Sequence, residues 1–216
     1  MKRYFKFIIS TILNYKFYAI PIVFYEIYFN LIFDRKLNKF KYFNDKYLSD
    51  SIPCSYYLLK KINNFIRKNQ IKYVCDIGSG YGKILYFIGN VSETYIDGIE
   101  LEKSVFDESK KLESDKIKVY NKDIFSFRFD NKNYDLLIFN DPLKKPEDLS
   151  KILKNINNLS YNFFLIFINL SFDKKNIVKE LFEIIYKEEF SDTRNYMICK
   201  KKWIKLTLLF LDALDP

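Results

Sequence analysis

Val74 to Lys83 reads Val-Cys-Asp-Ile-Gly-Ser-Gly-Tyr-Gly-Lys. The stretch starts as an apolar, β-branched run, reaches Asp76, and then places glycines at alternate positions, Gly78, Gly80 and Gly82. An apolar helical pattern follows at Ile84, Leu85, Phe87 and Ile88. A strand that turns sharply into a helix needs glycine where the backbone dihedral angles are unusual and where a ligand comes closer than a Cβ would allow. Because the helix start also offers unpaired N–H groups, the stretch predicts a loop for a nucleotide-type cofactor.

The glycine spacing excludes two common nucleotide loops. A G-x-G-x-x-G fingerprint that begins at Gly78 needs a third glycine where Lys83 stands, and no Ser or Thr follows Lys83 as a phosphate loop requires. The order Asp-x-Gly-x-Gly-x-Gly instead resembles motif I of the class I S-adenosylmethionine-dependent methyltransferases. The resemblance implies that Asp76 and the loop backbone hold the amino-acid end of the cofactor. The loop residues are Ile77, Gly78, Ser79, Gly80 and Gly82.

Two acids downstream are candidates for the nucleoside part of the cofactor. Thr94 to Glu100 reads as a second strand that ends in an acid, 18 positions after Gly82. A carboxylate about 20 residues beyond such a loop can accept hydrogen bonds from ribose hydroxyls, so Glu100 is the ribose candidate. The alternative is a solvated acid that opens a helix from Leu101 to Leu112. After a short strand, the resemblance makes Asp123, with the following Ile124, the adenine candidate.

A fourth strand leads to the candidate catalytic residues. Tyr134 to Phe139 is apolar after its first two residues and ends in Asn140-Asp141-Pro142. The resemblance places its motif IV here, beside the transferable methyl group. We expect Asp141 to accept a proton or a hydrogen bond from the acceptor, with Asn140 as the other polar candidate. A turn after the strand is the alternative interpretation.

The resemblance extends from about residue 50 to 200 and points to a small bacterial group of undefined substrate. Pro53-Cys54-Ser55, followed by apolar residues, matches the Pro-x-Ser element of that group. The group commonly has Phe-Asn-Pro-Phe after strand four, whereas this chain has Phe139-Asn140-Asp141-Pro142-Leu143. The missing final aromatic removes the platform on which a nucleobase acceptor would stack, which disfavours a flipped base as the substrate.

The remaining pattern predicts an α/β fold. A helix from Pro146 to Ile156, an apolar strand from Phe163 to Ile168 and a helix from Lys175 to Tyr186 follow in order. A hairpin is expected from 187–190 and 196–199 around a polar turn. Alternating strands and helices imply a mainly parallel sheet covered on both faces. The resemblance implies the Rossmann-like methyltransferase fold, with seven strands and the last inserted antiparallel.

Composition excludes several other chemistries. The chain has no histidine, so it cannot use a Ser-His or Cys-His mechanism or an H-E-x-x-H zinc site. Its three cysteines have no metal-ligand spacing, so we expect buried free thiols, a reducing compartment and no metal. They are Cys54, Cys75 and Cys199.

The N-terminal 48 residues differ from the rest of the chain. They carry nine Lys/Arg against three acids, which is +6 of the total charge of +9, and an aromatic, apolar run from Phe5 to Phe33. Lysines interrupt the run and no small-residue cleavage site follows, so a secretory signal is not expected. Three alternatives stay open: a helix in an anionic membrane surface, a helical lid packed on the catalytic domain, and a membrane span.

These observations divide the chain into three segments and give one leading function. Residues 1–48 form a helical extension, 49–202 the methyltransferase domain, and 203–216 an apolar tail. The leading function is methyl transfer from S-adenosylmethionine to an unidentified nitrogen or oxygen nucleophile. A catalytically silent cofactor-binding or membrane-adaptor protein and an RNA methyltransferase are the alternatives. The expected location is the cytoplasm, with attachment to the inner face of the membrane as an alternative.

Overall fold

The computed structural model describes residues 9, 11–13, 15, 18–33, 37–43, 49–191 and 194–202. The strands of this part are β1 Tyr73–Ile77, β2 Tyr95–Glu100, β3 Ile117–Asn121, β4 Leu136–Phe139, β5 Phe164–Ile168, β6 Phe182–Ser191 and β7 Arg194–Lys201. Its α-helices are α1 Ala19–Ile32, α2 Tyr56–Lys68, α3 Lys83–Val91, α4 Lys103–Ser109, α5 Pro146–Asn157 and α6 Phe172–Leu181. The predicted C-terminal tail, 203–216, lies outside the described residues.

The strands form one mainly parallel sheet, in the order β3-β2-β1-β4-β5-β7-β6. Strand β7 lies between β5 and β6 and is antiparallel to both, which confirms the predicted topology. The order reverses beside β1, because β2 lies on one side of it and β4 on the other. Ile77 pairs with Ile99 of β2 and with Phe139 of β4, so the three strands end at one edge of the sheet. In open α/β sheets, that edge is where ligands bind.

Apolar side chains cover the sheet on both faces. On one face the core includes Ile62 of α2 and Leu85 of α3, both fully buried, packed over strand residues such as Val74. On the other face it includes Leu153 of α5 and Val178 of α6. Strands buried on both faces explain the continuous apolar runs in the sequence.

Two predicted element boundaries are corrected by the structure. The helix predicted from Lys175 to Tyr186 ends at Leu181, and residues from Phe182 onward belong to β6. The segment 182–186 contains two adjacent isoleucines and a tyrosine, which favour a strand, and its pairing with β7 outweighs the helical periodicity. The hairpin is therefore confirmed, with longer arms than predicted. The helix predicted from Leu101 to Leu112 is α4 followed by a 3₁₀ turn, Lys110–Leu112.

Helix α1 packs on the domain through one face. Ala19 and Ile22 are buried there, and Phe29 contacts the rings of Tyr56 and Phe87, with ring centroids 5.2 and 5.1 Å apart. No helix among the described residues is long and apolar enough to cross a membrane. The described part of the N-terminal extension is thus in contact with the first turns of α2 and α3.

A buried ion pair fixes this contact. The Glu26 carboxylate of α1 accepts hydrogen bonds from Lys83 Nζ at 3.1 and 3.2 Å and from the Tyr56 backbone N–H at 2.6 Å. The two charged side chains are 7% and 4% exposed, and the ammonium lies 3.7 Å from the centroid of the Tyr56 ring. Lys83 is the residue that follows the last loop glycine, so α1 is joined directly to the loop.

We predict that Glu26→Ala lowers the free energy of unfolding by about 3 kcal/mol or more, because it leaves a buried ammonium without its carboxylate. Urea denaturation measures the loss. The matched control is Glu102→Ala, which breaks a pair with Lys41 in which both side chains are 31% exposed. The control is expected to cost about 1 kcal/mol or less. Equal losses in the two variants would contradict a special role for the buried pair.

Candidate cofactor site

A cavity of about 400 Å³ lies at the carboxyl edge of β1, β2 and β4. This volume falls in the range of about 300–1,000 Å³ that is usual for small-molecule sites. Most of the predicted site residues line it: Ile77, Gly78, Ser79, Gly80, Glu100, Asp123, Ile124, Asn140 and Pro142. Asp76, Gly82 and Asp141 are not among the lining residues. The structure therefore brings the predicted loop, the two acids and the end of β4 around one space.

The glycine loop is fixed to the end of β2. The backbone N–H groups of Gly78 and Ser79 both donate to the Ile99 carbonyl at 2.9 Å. Gly78 has φ of 71°, and a Cβ added there would lie 2.3 Å from Cβ of Pro142. A side chain at position 78 is therefore excluded by the backbone conformation and by the segment that follows β4. The glycine loop is therefore in direct contact with the predicted motif IV segment after β4.

Asp76 is the next-to-last residue of β1, and its carboxyl group is buried without a hydrogen-bond partner among the described residues. The residue is fully buried, and neither carboxyl oxygen has a hydrogen-bond partner among the residues that the structure describes. Burial and, as a smaller contribution, the nearby Glu100 carboxylate together raise the pKa of Asp76 to about 8. Asp76 also interacts electrostatically with Cys54. Cys54 and Glu100 both line the cavity. A buried carboxyl group is normally paired with a cation or with hydrogen-bond donors, and the described part of the chain supplies neither to Asp76.

Glu100 is held at the end of β2 by backbone N–H groups. Its Oε2 accepts from Gly80 and its Oε1 from Glu102, both at 2.9 Å. Burial raises its pKa, and these donors act in the opposite direction. Each carboxylate oxygen can accept more than one hydrogen bond, so capacity for a ligand hydroxyl remains. The helix after β2 begins at Lys103, so Glu100 does not open it. Glu100 instead ties the glycine loop to the end of β2 through its hydrogen bond from Gly80.

Asp123 lies in a turn after β3. Its Oδ1 accepts from the Phe125 backbone N–H at 2.9 Å, and its carbonyl accepts from Ser126. The turn places Asp123 and Ile124 in the lining of the same cavity as the glycine loop. Their role in adenine binding stays a prediction.

The three predicted catalytic residues separate into two groups. Asn140 and Pro142 line the cavity, and Asn140 Nδ2 donates to the Ile52 carbonyl at 2.8 Å. Asp141 has φ of 45°, in the left-handed region. Its Oδ1 accepts from Lys174 Nζ at 2.5 Å, and the same ammonium donates to the Leu143 carbonyl. Burial raises the pKa of Asp141, while Lys174 acts in the opposite direction.

Several cavity residues were missed by sequence reasoning. Lys83 lines the cavity, and so does a roof segment made of Leu37, Lys39, Phe43 and residues 49–53. The roof is closed by backbone hydrogen bonds between Lys41 and Ser51, and a Cβ at Gly80 would meet Ser51 Oγ at 2.7 Å. The helical lid was predicted within residues 1–48, which include only part of this roof. No local sequence pattern identifies its individual cavity residues.

Comparison with known proteins agrees with the geometry. No family model and no curated protein matches the sequence. Among solved structures, the chain is similar to magnesium protoporphyrin IX methyltransferase of Synechocystis PCC 6803, which contains bound S-adenosylmethionine. The TM-score is 0.54 at 15% identity, over 66% of this chain and 76% of that one. The chain has the class I S-adenosylmethionine-dependent methyltransferase fold.

Two further structures with this methyltransferase fold match at similar levels. The methyltransferase domain of bacterial CtHen1-C gives a TM-score of 0.54 at 11% identity, over 68% of this chain and 97% of that one. N-methyltransferase NodS of Bradyrhizobium japonicum WM9 gives 0.52 at 12% identity, over 66% and 94%. Identities this low establish the methyltransferase fold and leave the acceptor undetermined.

The raised pKa of Asp76 predicts an unusual dependence of stability on pH. The carboxyl pKa is near 8 in the folded protein and about 3.9 in an unfolded chain. As the pH rises between these values, the unfolded state loses its proton first, so Asp76 increasingly disfavours folding. Asp76→Asn keeps the shape of the neutral form. We expect the variant to gain stability over the wild type by about 1.4 kcal/mol per pH unit between pH 5 and pH 8.

Urea denaturation of both proteins without ligand, at several pH values in that window, measures the difference. A gap between variant and wild type that stays constant with pH would contradict the raised pKa.

Proposed function

We propose that the chain transfers a methyl group from S-adenosylmethionine to a nitrogen or oxygen nucleophile. The observation that carries the proposal is Asp76, a fully buried carboxylate with no partner for either oxygen, at the base of a glycine loop. The amino-acid end of this cofactor carries an ammonium group. A cation beside Asp76 would supply the missing partner and stabilise the ionised form of this carboxyl group.

The rest of the cavity fits the other parts of the cofactor. The loop backbone at Gly78, Ser79 and Gly80 allows a ligand to approach closely. Glu100, 18 residues after Gly82, would present its carboxylate to the ribose hydroxyls. Asp123 and Ile124 offer an acceptor and an apolar contact to the adenine ring. Among the neighbours, the Synechocystis enzyme binds S-adenosylmethionine in the same fold.

The end of β4 is the proposed acceptor side. When bound, the cofactor would supply an electrophilic methyl group on sulfur. Transfer of that group to the acceptor's electron pair would leave the carbon–sulfur electrons on sulfur. Asn140 and Pro142 line the cavity there and would orient the acceptor. Alignment of donor and acceptor lowers the barrier by removing translational and rotational freedom beforehand. An amine or hydroxyl acceptor also releases a proton to solvent or to a neighbouring base.

We predict that cofactor binding is linked to ionisation of Asp76. At pH 7 the free protein holds a proton on this carboxyl, because its pKa is about 8. An ammonium ligand favours the carboxylate, so binding should release close to one proton and tighten as the pH rises from 6 to 7.5. Titration calorimetry with S-adenosylmethionine, in buffers of different ionisation enthalpy, counts the protons.

Asp76→Asn provides the matched control for that count. The variant should lose the proton release and bind S-adenosylmethionine at least about tenfold more weakly, or about 1.4 kcal/mol. Equal proton release in variant and wild type would assign the proton to another group. Unchanged affinity in both Asp76→Asn and Glu100→Gln would remove the basis of the proposal.

Asp141 has two alternative roles that mutation can separate. As a base it acts on the acceptor; as the partner of Lys174 it fixes the segment that carries Asn140 and Pro142. We predict that Asp141→Asn and Lys174→Met lower turnover to a similar extent and leave cofactor affinity nearly unchanged, as expected of a shared structural pair. A large loss in Asp141→Asn alone would favour the base.

The acceptor itself is best found by transfer of a labelled methyl group to fractionated cell extracts. Label in an amine- or hydroxyl-containing small molecule, lipid or protein fraction agrees with the proposal, and label in RNA selects the RNA alternative. Cofactor binding with no label in any fraction would favour the silent, cofactor-binding alternative.

A further inference from the structure

Helix α1 carries an apolar face that nothing in the described part of the chain covers. Ile20 and Leu31 are each 81% exposed, Phe24 is 62% exposed and Ile27 is 51% exposed. These positions recur at the spacing of one helix face. A soluble monomer rarely exposes a contiguous apolar stripe of this length, and such stripes usually mark a binding surface.

The packing of α1 fixes which face is turned outward. Ala19, Ile22 and Glu26 are buried against the domain, and Glu26 is bound to Lys83 and to the Tyr56 backbone. Rotation of the helix would expose that ion pair's apolar surroundings and break the pair. The outer face of α1 therefore cannot turn inward to pack on the same domain.

Charge indicates the chemistry of the partner. Glu26 is the one charged residue of α1, and it is turned inward and neutralised by Lys83. Within the first 36 residues of the sequence, six Lys/Arg stand against two acids, and one of those acids is Glu26. Lys16 precedes the helix in sequence, and Arg35 and Lys36 follow it. An apolar helix between basic residues matches a surface that is apolar inside and anionic at its boundary.

We propose that α1 docks this protein on an anionic membrane surface, with Ile20, Phe24, Ile27 and Leu31 inserted among the lipid chains. At 1.5 Å per residue, its 14 residues extend for about 21 Å, less than the roughly 30 Å of a bilayer core. The helix therefore lies in the interface. The proposal does not depend on methyl transfer, because lipid binding needs neither cofactor nor acceptor.

A second copy of the chain and a protein partner fit the same face less well. Two identical faces brought together would also bring together the basic segments on either side of each helix, which repel each other. Anionic lipid instead attracts those segments, because their charges are opposite. The face also presents only hydrocarbon and ring surface, with no charged group that would select a particular protein.

Vesicle flotation of the full-length protein tests the proposal. With vesicles of equal parts phosphatidylcholine and phosphatidylglycerol, the wild type should float, and high salt should reduce the floating fraction. Pure phosphatidylcholine vesicles should retain far less protein. Ile20→Ser/Leu31→Ser should weaken binding to the anionic vesicles by about tenfold or more, because two inserted side chains are lost. Its urea denaturation should match the wild type, since both side chains are exposed in solution.

The control variant is Phe172→Ser, which removes an apolar side chain that is 68% exposed at the start of α6. It should float like the wild type. Failure of the wild type to float at low salt, equal flotation of all three proteins, or equal binding to neutral vesicles would each overturn the proposal. So would light scattering that shows a dimer dissociated by Ile20→Ser/Leu31→Ser.

Discussion

A buried carboxylate without a partner constrains the carboxyl edge of this sheet. Asp76 is fully buried, yet neither of its oxygens accepts a hydrogen bond from the described part of the chain. Most of the neighbouring polar groups are engaged elsewhere: the N–H groups of Gly78 and Ser79 bind the Ile99 carbonyl, and that of Gly80 binds Glu100. The fold tolerates this cost because apolar layers cover both faces of the sheet. Asp76 therefore keeps unused hydrogen-bonding capacity on both oxygens at the base of the glycine loop.

A second buried charge connects the N-terminal helix to the same loop. Glu26 reaches Lys83, the residue after the last loop glycine, and so joins α1 to the wall of the cavity. The two faces of α1 have different surroundings. One face packs on the domain, and the other is apolar and exposed. The lid and the docking surface are therefore compatible predictions for one helix, because they use opposite faces of it.

Local signals explain what the sequence could predict. Glycine spacing, acids at strand ends and apolar runs predicted the strands, the loop and Glu100, because each depends on a few adjacent residues. The inserted antiparallel strand was predicted from the family resemblance. The missed contacts join distant positions: Glu26 and Lys83 are 57 residues apart, and Asp141 and Lys174 are 33 apart. Residues 182–186 read as helix because their strand character depends on β7. Contacts of this kind are set by tertiary packing, which no short pattern encodes.

The pKa of Asp76, followed by the ¹³C chemical shift of its side-chain carboxyl, tests the account most directly. Without ligand, the carboxyl should titrate near pH 8, because it is buried and unpaired. With saturating S-adenosylmethionine the midpoint should fall by several pH units, as expected when an ammonium binds beside a carboxylate. A midpoint near the ordinary value of about 4 in the free protein, or one that the ligand does not move, would contradict it.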